Sequence, residues 1–295
     1  MLSQFLPDNY DPTKPLAVIA GRGIYPCLSV AAIQRCAIPV RLIAFTGETR
    51  EDLVDRFPQQ HRRIIKVGQL GKLLRALKDW QARYALMAGQ ITPQRLFRGL
   101  HPDLKTLRIL LQTKERNATT LFGAVRHYIE QRGVTVLDAR VFLDDQLASV
   151  GMMTQGYLPR GKHARLHGIH IAKAIARLDI GQGVVVRKGT VLAVEAFDGT
   201  DAMLRRCCNY QVEGMIFVKV AKPNQDFRFD VPCFGSRTLE SMRIAGIKLA
   251  CLEAGNILIL KKQETLEQAR VWGIHLWGSN KDGEETGEAR AGEKV

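Results

Sequence analysis

Two short acidic blocks hold the residue types best suited to chemistry. The first, VEAFDGTDAMLRR over 194–206, sets Glu195, Asp198 and Asp201 close together, with Thr200 placed to cap a following helix. Carboxylates this close repel one another unless a cation collects them, and hard oxygen ligands of this kind suit magnesium shared with substrate phosphates. The same residues also make an ordinary turn, since Asp198-Gly199 is a good turn pair and Asp201 suits the first turn of a helix. The second block, KVAKPNQDFRFDVP over 219–232, reads as a strand from Phe227 to Val231. If 226–231 is extended, Asp226, Arg228 and Asp230 share one face, and Phe227, Phe229 and Val231 share the other. Beside Lys219 and Lys222, that polar face mixes metal-binding or basic carboxylates with phosphate-binding cations. A solvated strand face with ion pairs worth about 0–1 kcal/mol each accounts for it equally well.

Weaker signals lie elsewhere. Gly21-Arg22-Gly23 follows an apolar run and precedes a helix, where glycines admit a phosphate to backbone N–H groups. The third glycine of the dinucleotide fingerprint would fall at Pro26, so a tight βα turn competes with a phosphate site. Gly68–Lys72 (GQLGK) lacks the glycine spacing and the hydroxyl residue of a phosphate loop, and reads as a helix start. His163, His167 and His170 align on one helix without a neighbouring acid, which favours a basic exposed face over a metal site. The six cysteines form no CxxC pair and read as free thiols.

The elements that must position these residues fall into two patterns. Leu16–Ala20, Val40–Phe45, Ile64–Val67, Tyr84–Ala88 and Thr135–Leu137 read as strands. They alternate with helices at 27–35, 69–80 and 121–132, which predicts an α/β domain with a Rossmann-like parallel sheet over 15–150. Residues 1–14 read as a loose arm, and the glycine-rich stretch 151–161 as the connection to a second domain. That domain, 162–278, reads as mixed α+β: a helix over 164–178, strands at 183–187, 190–196 and 215–219, a helix at 239–245 and a strand at 257–260. Residues 279–295 read as a disordered tail.

Composition narrows the function classes. Of 295 residues, 46% are hydrophobic and 24% charged, ordinary for a globular protein, and no secretory signal or membrane-spanning run is evident, which predicts a cytoplasmic chain. The net charge of +14 attracts anions: nucleic acid, anionic lipid or a phosphorylated substrate. No helix-turn-helix, RNA-recognition or zinc-finger pattern accompanies it, and the acidic blocks would repel a polyanion, so nucleic acid is not the expected partner. A Rossmann oxidoreductase is disfavoured by the incomplete glycine fingerprint and by the lack of an evident ribose-binding acid at Phe45-Thr46-Gly47.

The motifs resemble those of the LpxI-type UDP-2,3-diacylglucosamine pyrophosphatases. The resemblance rests on Ile19–Gly23 (IAGRG), Val67–Lys72 (VGQLGK), Leu178–Gln182 (LDIGQ), Val194–Asp201 (VEAFDGTD), Lys222-Pro223 and Gln225–Pro232 (QDFRFDVP), in matching order over about 15–278. It implies a Rossmann-like N-terminal domain, a C-terminal domain of its own fold, and substrate held between them. The implied reaction is magnesium-dependent hydrolysis of UDP-2,3-diacylglucosamine to UMP and lipid X, in lipid A synthesis, with transient contact at the inner membrane surface. In these terms Asp230 is the expected essential acid, with Asp201 and Arg228 completing the catalytic group. Glu195, Asp198 and Asp226 are the expected Mg2+ ligands, and Gly21, Arg22, Gly23, Thr200, Lys219 and Lys222 the substrate contacts. The chain departs from the family pattern at Arg116–Thr120, where a Gly-Asp-Asp run is common and Asn117 and Thr119 stand instead, and at Arg22, where a third glycine is common. A non-catalytic nucleotide- or nucleic-acid-binding protein that keeps the fold is the alternative, and the oligomeric state stays open, a homo-oligomer included.

Overall fold

A computed structural model describes residues 2–92, 103, 106, 118–156 and 161–280. The chain forms two compact units: residues 1–144 with Asp226–Asp230, and residues 145–225 with 231–295. The short segment of the second acidic block therefore groups with the first unit, away from the residues that flank it in sequence.

In the first unit, β1 (Leu16–Ala20), β2 (Val40–Phe45), β3 (Arg62–Ile65), β4 (Tyr84–Ala88) and β5 (Thr135–Val136) form a parallel sheet in the order β3-β2-β1-β4-β5. Each residue of β1 and β4 is buried, as expected for central strands of a sheet covered on both faces. Helix α1 (Tyr25–Arg35) follows β1, and a short helical turn, α2, spans Glu51–Val54. Helix α3 (Leu70–Asp79) lays Leu70, Leu73, Leu74 and Leu77 on Ala17, Ile19, Ile43, Ala85 and Met87. Ile129 of α4 (Ala118–Glu130) joins the same layer. The α/β expectation holds and the strands lie within two residues of their expected positions, β3 beginning at Arg62 and ending at Ile65. GQLGK is a helix start, since α3 begins at Leu70.

The N-terminal arm is not loose: the Tyr10 ring packs at a tilt against Tyr84 with centroids 4.5 Å apart, and Tyr84 Oη accepts the Asp11 N–H at 2.8 Å. Burial and the neighbouring Tyr84 push the Tyr10 hydroxyl up to about 12.

The second unit is built on a mixed sheet in the order β6-β13-β11-β9-β7-β8. Its strands are β6 (Gly151–Met152), β7 (Gly183–Arg187), β8 (Thr190–Val194), β9 (Ile216–Lys219), β11 (Leu249–Glu253) and β13 (His275–Ser279). Strands β9, β11 and β13 run parallel, whereas β7 pairs antiparallel with β8 and β9, and β6 with β13. A separate pair joins β10 (Cys233–Phe234) to β12 (Leu258–Ile259). Period-two alternation sends Leu249 and Cys251 to one face, where Ala164, Ile169, Ala172 and Ala176 of α5 (Lys162–Arg177) pack. Ala250 and Leu252 face the other side, toward Met203 and Leu204 of α6 (Thr200–Arg206) and Leu239 and Met242 of α7 (Ser236–Ile244). Helix α8 (Lys262–Val271) adds Ala269 to that second layer.

Three boundaries differ from expectation. Gly151 and Met152 belong to the sheet instead of a linker, because they pair with Gly278 and Trp277. Ser279 closes β13 and is buried, so the polar stretch begins later. Phe227–Val231 is not a strand: the Asp226 carbonyl accepts the N–H groups of Phe229 and Asp230, closing a turn that leaves no ladder to pair. Residues 157–160 of the expected connection, 281–295 of the expected tail, and Asn117 lie outside the described residues, as does the side chain of Thr119.

Candidate functional site

Ligands of parallel α/β sheets bind beyond the carboxyl ends of the strands, at the point where strand order reverses. In the first unit this point lies between β1 and β4. The Gly21–Gly23 loop occupies it, but its backbone is already committed: Gly21 N–H donates to Ala88 O at 2.8 Å and Arg22 N–H to Gln90 O at 2.7 Å. A Cβ on Gly21 would stand 2.5 Å from Gln90 O, so glycine is needed there for the approach of two loops. The Arg22 guanidinium donates to Thr92 Oγ1 at 3.2 Å, and Thr92 in turn donates through its N–H and hydroxyl to the buried Glu48 carboxylate. Glu48 and Thr92 escaped the motif reading because they stand in loops after β2 and β4 and meet only through the sheet order.

The second acidic segment folds against this unit as a compact turn. Asp226 binds Arg228 through two side-chain hydrogen bonds of 2.8 and 2.9 Å and accepts the Arg228 N–H at 3.2 Å. Burial works to raise the Asp226 pKa, but the Arg228 hydrogen bonds, with the charges of Arg228 and Arg126, outweigh it and hold the carboxyl below its usual range. The same hydrogen bonds raise Arg228. Asp230 ends the turn. The expected alternation of faces is replaced by individual placements: Phe227 lies under the Arg140 guanidinium at 3.6 Å, and Phe229 stacks with Phe122 at 6.4 Å.

In the second unit the ends of β7, β8 and β9 bring together Lys219, Thr200 and Glu195. Lys219, buried at 5% exposure, donates to Thr200 Oγ1 at 2.7 Å and pairs with Glu195 Oε2 at 3.5 Å; the Thr200 hydroxyl donates to Glu195 Oε1 at 2.6 Å. Thr200 does not cap α6, whose N-cap is Gly199. Its hydroxyl is instead taken by Glu195, which the sheet delivers opposite Gly183. Glycines make room for that carboxylate: a Cβ at Gly181 would sit 2.1 Å from Glu195 O, and one at Gly183 would sit 2.7 Å from Glu195 Oε2. The following segment is pinned as well. Buried Glu253, at the end of β11, accepts the Ala221 N–H at 2.8 Å and Lys173 Nζ at 2.7 Å, while Lys222 pairs with Asp179. Sequence reasoning passed over Glu253 and Lys173; a lone carboxylate ending the apolar run LACLE was the available signal.

The other acids of the first block have separate partners. Asp198 pairs with Arg206, and Asp201 turns toward α7, to Arg237 at 3.1 Å and Thr238 at 3.3 Å. Of the expected metal ligands, Glu195 faces Lys219, Asp198 faces Arg206, and Asp226, in the other unit, faces Arg228. Among the described residues no group of three or more His, Cys, Asp or Glu side chains could hold a metal ion. The imidazoles of α5 are no exception. Each of the three carboxylates carries a protein cation.

The two units thus define an α/β chain with a Rossmann-type sheet followed by a mixed-sheet unit that carries a part-buried Lys-Thr-Glu constellation at its strand ends. Comparison with known families agrees with this division, since the LpxI N-terminal domain matches residues 15–146 and the LpxI C-terminal domain residues 151–277. UDP-2,3-diacylglucosamine pyrophosphatase LpxI of Caulobacter vibrioides is 30% identical over 290 residues, covering 90% of this chain and 97% of that protein. The chain belongs to the LpxI family.

Proposed function

We propose that this chain hydrolyses the pyrophosphate bond of UDP-2,3-diacylglucosamine, releasing UMP and 2,3-diacylglucosamine 1-phosphate for lipid A synthesis. The observation that carries the reading is the full-length similarity to the Caulobacter pyrophosphatase together with both family domains in order. The chemistry of the chain supports it. Cleavage of a pyrophosphate needs cations where negative charge spreads and a base for water. Asp230 is the proposed base, and Arg228, Lys219 and Lys222 supply positive charge. Thr200 and Glu195 hold the Lys219 ammonium in one orientation, and Lys222, the more exposed of the two lysines, is the better placed to meet a phosphate oxygen. Gly21, Arg22 and Gly23 are the proposed nucleotide contacts.

Magnesium enters as an ion that arrives with the pyrophosphate and keeps most of its water, the usual habit of Mg2+. No step here depends on it. Release of UMP from the diacylated substrate by the purified chain, abolished by Asp230→Ala with an unchanged circular-dichroism spectrum, is the expected result. Full turnover by that variant would remove Asp230 from the mechanism, and turnover undiminished by chelator would remove magnesium.

A diacylated substrate also implies work at a lipid surface. No described helix is long and apolar enough to cross a membrane. The net charge of +14 and the fully exposed Phe197, with exposed Leu178 and Ile180, support transient adsorption. Co-sedimentation with phosphatidylglycerol vesicles at low salt, lost with neutral vesicles, is expected; equal binding to both would refute the electrostatic part.

A further inference from the structure

The geometry points to Arg126 and Glu130 of α4 as positioning residues that present Asp230, an inference that rests on the reading of Asp230 as the base. Four side chains of alternating charge close a ring. Arg126 Nη1 donates to Glu130 Oε2 at 2.6 Å, and Arg126 Nε stands 3.6 Å from Asp226 Oδ2. Asp226 holds Arg228 through the paired bonds already described, and Arg228 Nη1 stands 3.6 Å from Glu130 Oε1. Two members come from a helix and two from a turn nearly a hundred residues later, so the ring is the electrostatic lock of that turn onto the first unit.

The lock is reinforced beside it. Asp138-Ala139-Arg140 repeats the Asp-x-Arg arrangement, with Arg140 bonded to Asp138 at 3.0 and 2.6 Å, and the Ala139 N–H donates to Phe227 O at 2.8 Å. Arg140 covers the Phe227 ring, and Phe229 stacks on Phe122 of α4. The turn that ends at Asp230 is thus held by its charges, its backbone and its rings. Asp226 and Arg228 bind one another and α4, so the ring also orients the Arg228 guanidinium proposed to meet the substrate's negative charge. A base displaced by even about 1 Å loses on the order of a hundredfold in rate, so a loosened ring is expected to reach kcat.

The test exploits the two roles of the α4 pair. Residues 126 and 130 are one helical turn apart and would stabilise the helix as a simple i,i+4 pair in either order. The double exchange Arg126→Glu/Glu130→Arg keeps that pair but sets Glu against Asp226 and Arg against Arg228. If the ring positions Asp230, the exchange lowers kcat about tenfold or more with KM little changed. It also speeds amide hydrogen exchange over 226–230 and at Ala139, while Arg126→Lys keeps most activity. Unchanged exchange over 226–230 would overturn the lock. Faster exchange with wild-type kcat would overturn its catalytic role. A wild-type chain that does not hydrolyse the nucleotide sugar would overturn the functional reading, and the exchange rates would still decide the lock.

Discussion

Replacing Lys219 by Met tests the Lys-Thr-Glu constellation of the second unit most directly. The substitution conserves length and apolar volume while deleting an ammonium that is 5% exposed and stands 3.5 Å from Glu195 Oε2. At that separation two unit charges attract by roughly 4–5 kcal/mol for an effective dielectric constant near 20. Deleting one partner of a buried pair costs about 3–5 kcal/mol, because the remaining charge loses its compensation without regaining water. Thr200 still donates to Glu195 Oε1 at 2.6 Å, which places the expected loss at the lower end, about 3 kcal/mol. For a unit of this size that corresponds to a fall of roughly 6–12 °C in unfolding temperature. Calorimetry on Lys219→Met, Glu195→Gln and the double variant measures the coupling. The double variant should be less destabilised than the sum of the singles by about 1–3 kcal/mol. A coupling below about 0.5 kcal/mol would mean that the two groups do not sense each other, and the constellation would lose its physical basis.

Other outcomes follow from the same contacts. Gly181→Ala puts a methyl group against the Glu195 carbonyl, 2.1 Å away, and backbone must move; Gly183→Ala meets the Glu195 side chain at 2.7 Å, which can rotate. Both should lower activity, but Gly181→Ala should destabilise more, by about 2–4 kcal/mol, and the reverse ranking in urea titrations would contradict the packing. The turn at 226–230 should loosen only in acid. The folded-state pKa of Asp226 lies below its ordinary 3.8, so its contribution is fully present above that value and is lost as pH falls through the depressed one. Protection of the 226–230 amides, corrected for intrinsic exchange, should hold from neutrality down to about pH 4 and fall below it. Loss of protection well above that point would assign the locking charge to another group.

Most of the first unit was legible in the sequence because its signals are local. LAVIA, VRLIAF and YALMA are runs short enough and apolar enough to be central strands, and Leu70, Leu73, Leu74 and Leu77 carry the helical period. In the second unit, β11 and β13 went unseen although LACLE is as apolar as LAVIA, because no regular alternation with helices announced them. The candidate positions were also local in part: Glu195, Thr200, Lys219 and Asp230 stand in blocks dense with ionisable residues. Their partners were not. Lys219 lies nineteen residues from Thr200, and Glu253 lies thirty-two from Ala221; each pair meets through strand order in a mixed sheet.

The second acidic block shows the limit most clearly. Composition determined that Asp226, Arg228 and Asp230 would be a charged, aromatic-flanked segment, and alternation made a strand the natural reading. The tertiary structure decided otherwise. Phe227 and Phe229 found Arg140 and Phe122, and the Asp226 carbonyl closed the turn on itself. Sequence sets which charges and rings are available, through local propensity and periodicity. Which of them pair is a matter of long-range packing, and here it moved five residues of the second half of the chain into the first unit.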